Sequence, residues 1–158
     1  MTGNDKKFMR RAIELAEEGM NAHAGGPFGA VVVKDGEIIA EAFNRVTSAN
    51  DPTAHAEIIA IREACKKLNS FQLGGCVIYT SCEPCPMCLG AIYWARPEKV
   101  FYACTRSDAA EIDFDDQFIY NELAVEMKDR KIEFTELLRN EAKPVFREWK
   151  KKTDVTRY

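Results

Sequence analysis

The run Ser81-Cys82-Glu83-Pro84-Cys85-Pro86-Met87-Cys88 limits what this chain can become more than any other stretch. It follows the apolar segment Val77-Ile78-Tyr79-Thr80, which reads as a strand. A helix opening at Cys85 would put the Cys85 and Cys88 thiols on one face, since residues three apart are helical neighbours. The free amides and the dipole of a first helical turn favour thiolate over thiol, and thiolate is the form a metal takes. Two thiolates are not a complete site, so a third donor must come from a distant part of the chain. Two histidines are available, His23 and His55, and His55 lies in Thr53-Ala54-His55-Ala56-Glu57.

The pair His55 and Glu57 sets a geometric condition. Two residues apart on a helix means roughly 200° of rotation, so the two side chains do not share a face. They converge only if the metal sits beyond the end of the helix, near its first turn. The spacing therefore predicts two helix N-termini, one near residue 55 and one near residue 85, aimed at one ion from the same edge of a sheet.

Neutral His55 with the thiolates of Cys85 and Cys88 suits Zn²⁺, and three protein donors leave a fourth tetrahedral position for water, as in catalytic zinc sites. The cation would lower that water's pKa toward neutrality, and Glu57 would be the nearby proton acceptor. The rival is a closed structural site with Cys82 as fourth ligand, which would stabilise folding and do no chemistry. Against it, Pro84 separates Cys82 from the helix, and a closed site gives Glu57 no role. A zinc-stabilised binding module without catalysis is the corresponding non-enzyme reading.

The 158 residues suit one ordinary domain, and 46% hydrophobic with 30% charged residues reads as a globular protein. No apolar run reaches membrane-spanning length and Met1 to Lys7 lacks the apolar core of a signal peptide, so a cytoplasmic location is expected. Six cysteines could suggest disulfides, but that reading suits small secreted chains, and clustered cysteines with a histidine favour a metal here. The net charge of −3 tells against nucleic acid as the main partner.

In chain order, Asp5 is expected to cap a helix whose apolar positions are Phe8, Ala12, Leu15, Ala16 and Met20 and which ends at Gly25-Gly26-Pro27. Strands Phe28 to Val33 and Ile38 to Phe43 follow, joined by the turn Lys34-Asp35-Gly36-Glu37, with Asn44 at the end of the second. Thr47 to Pro52 reads as a polar loop, and a helix from Thr53 or Ala54 to about Lys67 carries Ile58, Ile61 and Ala64 or Cys65 inward. Strand Val77 to Thr80, helix Cys85 to Ala95 and strand Lys99 to Ala103 form a βαβ unit, which implies parallel strands covered by helices. Thr105 to Gln117 reads as an acidic loop, Phe118 to Leu123 as a short helix, Ile132 to Leu138 as a strand, and Val145 to Lys152 as a helix started by Pro144.

Several residues have plain readings. Cys65, Cys76 and Cys104 are expected to pack as small hydrophobes, and His23 to face solvent at a helix end. Tyr93 and Trp94, by spacing alone, read as core, and Lys150-Lys151-Lys152 as a solvated helix end.

His55-Ala56-Glu57 with Pro84-Cys85-Pro86-Met87-Cys88 is the signature of zinc nucleobase deaminases, and the chain resembles the cytidine deaminase-like superfamily. More narrowly it is similar to the small bacterial guanine deaminases, through Gly26 to Val31, Asn50 to Glu57, Tyr79 to Pro97, Phe114-Asp115-Asp116, Phe118-Ile119-Tyr120 and Tyr158. The resemblance implies a three-layer α/β/α fold with a central mixed sheet of five strands. It implies a single deaminase domain over 1–158, whose segment from about 125 to 158 is exchanged in a homodimer, with one Zn²⁺ per subunit on His55, Cys85 and Cys88. It implies that Glu57 and Asp116 carry the catalysis. Phe28 would stack on the base, Asn44 and the Ala56 backbone would bond its edge, Trp94 would add a contact, and Tyr158 would close the site from the partner. The implied reaction is hydrolysis of guanine to xanthine and ammonia. The alternatives within the superfamily are a tRNA adenosine deaminase, against which the acidic span Asp108 to Glu126 argues, and a guanosine or cytosine deaminase.

Overall fold

A valine-rich strand and a two-residue turn organise the sheet. β1 (Gly29–Lys34) is almost wholly buried and pairs antiparallel with β2 (Glu37–Phe43). Asp35 and Gly36 between them both take positive φ, 51° and 80°, the twist that suits a tight hairpin. The register slips between Val32 and Val33, so a bulge bends the ribbon. On its other side β1 pairs antiparallel with β3 (Cys76–Cys82), and β3 pairs parallel with β4 (Lys99–Cys104). The sheet is mixed, in the order β2-β1-β3-β4.

The computed structural model describes residues 3–158. These divide into two units, the first running to Asp116 and the second being Gln117–Tyr158. In the first, helices cover both faces of the sheet. α1 (Gly3–Asn21) lays Phe8, Ala12 and Leu15 against Val31, Val33 and Tyr79. On the opposite face α3 (Ala56–Leu68) and α4 (Pro86–Ala95) pack over Ala30, Val32, Ala40, Ala42 and Ile78. α3 presents Ala56, Ala60 and Ala64 at four-residue spacing, all fully buried, so small side chains bring its backbone close to β2. The result is a three-layer α/β/α sandwich.

Four strands are present among the described residues where five were expected. Ile132 to Leu138, expected as the fifth, forms no ladder; Ile132 and Leu137 are largely exposed, so its alternation has no second strand or core to satisfy. The second unit contains α6 (Gln117–Ala124), a single 3₁₀ turn at Met127–Asp129 and α7 (Arg139–Lys151). Neither α6 nor α7 buries a residue, and α7 shows an outward apolar stripe that includes Val145, Phe146 and Trp149. α7 begins five residues before Pro144, which therefore lies inside it instead of starting it.

Other differences have local causes. Asp5 lies in the first turn of α1, which begins at Gly3, and its carboxylate accepts a 2.7 Å hydrogen bond from the Tyr79 hydroxyl. Met20 is exposed and Gly19 takes the buried place, because Phe43 occupies the space beside it. The polar loop after Asn44 contains a one-turn helix, α2 (Val46–Ala49), ended by Asn50 in the left-handed region. α3 starts at Ala56, later than expected, because the Asp51 carboxylate binds the Thr53 amide and hydroxyl and holds that stretch as a turn. The acidic loop contains α5 (Arg106–Ala110), closed by a reciprocal capping box between Thr105 and Asp108. Cys76 is buried and Cys65 partly so, but Cys104 is exposed at the end of the edge strand. Tyr93 and Trp94 are exposed at 75% and 66%, which removes both from the core. His23 is exposed just past α1, and Lys150 to Lys152 are exposed at the end of α7.

Candidate metal centre

His55 and Cys85 hold equivalent backbone positions. Each is the residue immediately before a helix, His55 before α3 and Cys85 before α4, in extended conformation with ψ of 153° and 168°. Neither side chain caps its helix. Ser, Thr, Asp or Asn is the usual choice at this place, so both side chains are directed to another task. Pro86, first in α4, has no N–H to leave unpaired and supplies a φ already suited to the helix.

Both side chains meet Cys88, one turn into α4. The thiol sulfurs of Cys85 and Cys88 each lie 3.6 Å from His55 Nδ1. The three donor atoms lie within 4.8 Å of one another and form a group that could hold one metal ion. A zinc with Zn–S near 2.3 Å and Zn–N near 2.05 Å in tetrahedral geometry places N and S about 3.6 Å apart. The donor spacing thus fits zinc directly. The fourth candidate, Cys82, is turned elsewhere: its thiol donates to the Thr105 carbonyl at 3.6 Å, and burial pushes its pKa up to about 11. Of the donors considered, the structure gathers His55, Cys85 and Cys88 and leaves Cys82 out.

The electrostatics agree with this division. A hydrogen bond from the Cys88 thiol, and a further one involving His55, hold Cys85 as a thiolate with its pKa lowered to about 4 despite burial. Cys88 is shifted the other way, its pKa raised by that bond to Cys85 and by burial. The hydrogen bond to Cys85 raises the His55 pKa. A divalent ion favours the deprotonated form of both thiols.

Glu57, in the first turn of α3, is buried. Its Oε1 accepts a hydrogen bond from the Thr80 hydroxyl at 3.1 Å, and its Oε2 lies 3.5 Å from Cys88 Sγ. Burial is the largest influence on its pKa and raises it. A carboxyl with elevated proton affinity thus stands against the metal donors, reaching them from the helix end and not from a shared face.

Asn44 is buried just after β2, its Oδ1 accepting from the Gly26 and Val46 amides at 3.3 and 3.1 Å. A Cβ at Gly25 would run into that oxygen, so glycine there leaves room for the amide. Phe28 stands edge-on to Phe114, ring centroids 4.9 Å apart at 86°. Asp116 is half-buried, and burial followed by the charge on Cys85 raises its pKa. Ala56 is fully buried as the first residue of α3.

Trp94 is not brought to this group. It sits eight residues beyond Pro86, about 12 Å along the helix at 1.5 Å per residue, and is exposed. Tyr158 belongs to the second unit and is exposed at 71%. Thr80 was given no role from sequence, and Phe114 was named only within a block that carries the resemblance. For Thr80 a signal existed: it is a hydroxyl at an inward position of a strand that otherwise buries apolar groups, two residues from Ile78 and so on the α3 face.

An open centre of one histidine and two cysteines on two helix ends, with a protonatable carboxyl at its side, is the construction of the zinc-binding deaminase class. Residues 2–104 match the family model of the cytidine and deoxycytidylate deaminase zinc-binding region, and the chain belongs to this family. It is 58% identical to guanine deaminase of Bacillus subtilis over 147 residues, covering 93% of this chain and 94% of that protein. The crystal structure of guanine deaminase from Bacillus subtilis superposes with a TM-score of 0.93 at 55% identity, covering 100% of this chain and 99% of that one. A tRNA-specific adenosine deaminase of Aquifex aeolicus is 52% identical over 77 residues, 49% of this chain and 51% of its own length.

Proposed function

We propose that this chain hydrolyses guanine to xanthine and ammonia, with Glu57 as the proton relay. The observation that carries the reading is the buried Glu57 carboxyl, one oxygen held by Thr80 and the other 3.5 Å from a metal-donor sulfur. The substrate follows from the length of the likeness. Similarity to a guanine deaminase extends over 93% of the chain and so well into the second unit, whereas that to the adenosine deaminase covers 49%. No helix among the described residues is long and apolar enough to cross a membrane.

Zinc, when bound by His55, Cys85 and Cys88, supplies the Lewis acidity that brings the pKa of a water molecule toward neutrality. Glu57 takes a proton from that water and delivers it to guanine N3, making C2 electrophilic as the water's oxygen adds to it. The one proton of the added C2 hydroxyl then passes by way of Glu57 and Asp116 to the exocyclic nitrogen, the C2–N bond breaks as the C2 carbonyl forms, and ammonia leaves. Guanine and water thereby become xanthine and ammonia, with no proton left over. The raised proton affinities of Glu57 and Asp116 suit groups that must take up and give back a proton.

Phe28 supplies a face for the base, with Phe114 bracing its edge. Asn44, its carbonyl oxygen committed to two backbone amides, offers its amide N–H groups to acceptors on the purine. The backbone at Ala56 adds a further bond to the edge of the base. Of the residues assigned to substrate, Trp94 has the weakest geometric support, for the reason of distance given above.

The assembly belongs to the same reading. A homodimer in which the segment from about residue 125 is exchanged would let the partner's Tyr158 close the pocket. This is supported by a second unit whose helices bury nothing and whose α7 stripe is exposed. Mixing a zinc-ligand variant with a variant lacking the last residues and recovering activity would support exchange; strictly monomeric protein in sedimentation excludes it.

Ammonia release from guanine, guanosine, cytosine and tRNA, assayed side by side on zinc-loaded protein, tests the activity. Turnover of guanine above the other three is expected, and preference for any of them overturns the assignment.

A further inference from the structure

We propose that Thr80 is a positioning residue whose hydroxyl fixes the Glu57 carboxyl with Oε1 against β3 and Oε2 turned toward the metal donors. This rests on the reading of Glu57 as the relay. The Thr80 side chain is 1% exposed at the inward face of β3, next to the start of the loop that leads to Cys85. Its hydroxyl donates to Glu57 Oε1 at 3.1 Å, and the other carboxyl oxygen lies on the side of the metal donors, 3.5 Å from Cys88 Sγ. With Oε1 tied to β3, the oxygen left to face the reacting atoms is Oε2.

The same contact fixes orientation. A glutamate side chain has three rotatable bonds, and one buried hydrogen bond to a strand residue removes the freedom that matters at the carboxyl. A strand is a rigid support, and misplacement of a reacting group by about 1 Å can cost on the order of a hundredfold in rate. Threonine suits the place twice over, since its β-branched shape belongs in a strand and its hydroxyl is the donor.

The test compares Thr80→Val, which keeps the shape and removes the donor, with Thr80→Ser, which keeps the donor. Both are measured beside Glu57→Gln and the double variant Thr80→Val/Glu57→Gln. Thr80→Val is expected to lose roughly ten- to a hundredfold in kcat with KM within about twofold of the parent. Zinc content and thermal midpoint should match the parent. Thr80→Ser should return kcat to within about threefold, and adding Thr80→Val to Glu57→Gln should cost no more than about a further twofold. A kcat near the parent's in Thr80→Val while Glu57→Gln is inactive overturns the inference and leaves the relay standing. So does a change confined to KM, loss of zinc, a serine variant no better than the valine one, or full additivity in the double variant. A near-parental kcat in Glu57→Gln overturns the relay itself, whatever the Thr80 variants show.

Discussion

His55 and Cys85 occupy the same structural position thirty residues apart, each closing the loop before a helix and each lending its side chain to a shared centre instead of to its own helix. That equivalence explains how a metal site arises from residues that share no helical face. It also says which substitutions should dismantle the site.

His55→Ala and Cys88→Ser should each weaken zinc affinity by more than about tenfold and so lower the zinc retained, since metal sites lose about tenfold or more in affinity even for outer partners. Cys82→Ala should keep zinc near the parent level, because its thiol faces Thr105. Zinc per chain, read by elemental analysis after dialysis, separates these outcomes.

Glu57→Gln should retain the metal and lose about 10²- to 10⁴-fold in kcat, the span for removing one positioned proton carrier. Steady-state guanine turnover on zinc-verified protein is the measurement, and a rate near the parent's is incompatible with the mechanism.

Gly25→Ala should act on substrate binding. Its new Cβ meets Asn44 Oδ1 and must push the amide out of place. A rise in KM of about tenfold, the cost of roughly one hydrogen bond, with kcat much less changed, is the expected pattern in initial-rate kinetics.

The core should respond by volume. Ile78 is fully buried between β3 and the helices, so Ile78→Ala should cost about 2–5 kcal/mol. Urea unfolding of the metal-loaded parent and variant gives the difference.

One ion pair gives a signed pH effect. Hydrogen bonds from Arg11 hold the Glu41 carboxylate below its ordinary 4.5. A lowered native pKa means the contribution is fully present above about pH 4.5 and is lost as pH falls through the native value. Both side chains are partly exposed, so the contribution is under about 1 kcal/mol after screening. The stability gap between the parent and Glu41→Gln should therefore be larger at pH 6 than at pH 3 and shrink with added salt.

Sequence carried the centre further than the periphery, for physical reasons. Cys85, Cys88 and His55 could be brought together on paper because proline, helix geometry and coordination chemistry each restrict them independently. The hairpin at Asp35-Gly36 and the parallel pair β3 and β4 followed from turn chemistry and from a crossover helix. Ile132 to Leu138 misled because alternation reports only that a segment suits a strand, not that a neighbouring strand exists. Asp5 falls inside the first turn of α1, and its tertiary partner Tyr79 lies 74 residues away, beyond any local rule. Thr80 was passed over because a threonine in a strand is ordinary, and only the arrival of Glu57 from α3 gives its hydroxyl a task.

The absence of side-chain caps at His55 and Cys85 reaches beyond chemistry. Without the ion, α3 and α4 lose their common anchor and the usual stop at the front of a helix together, and fraying should begin there. Demetallated protein should then be clipped first by proteases around residues 53–58 and 84–89. Inactive, zinc-starved chains would thus be marked for removal by the same event that disarms them.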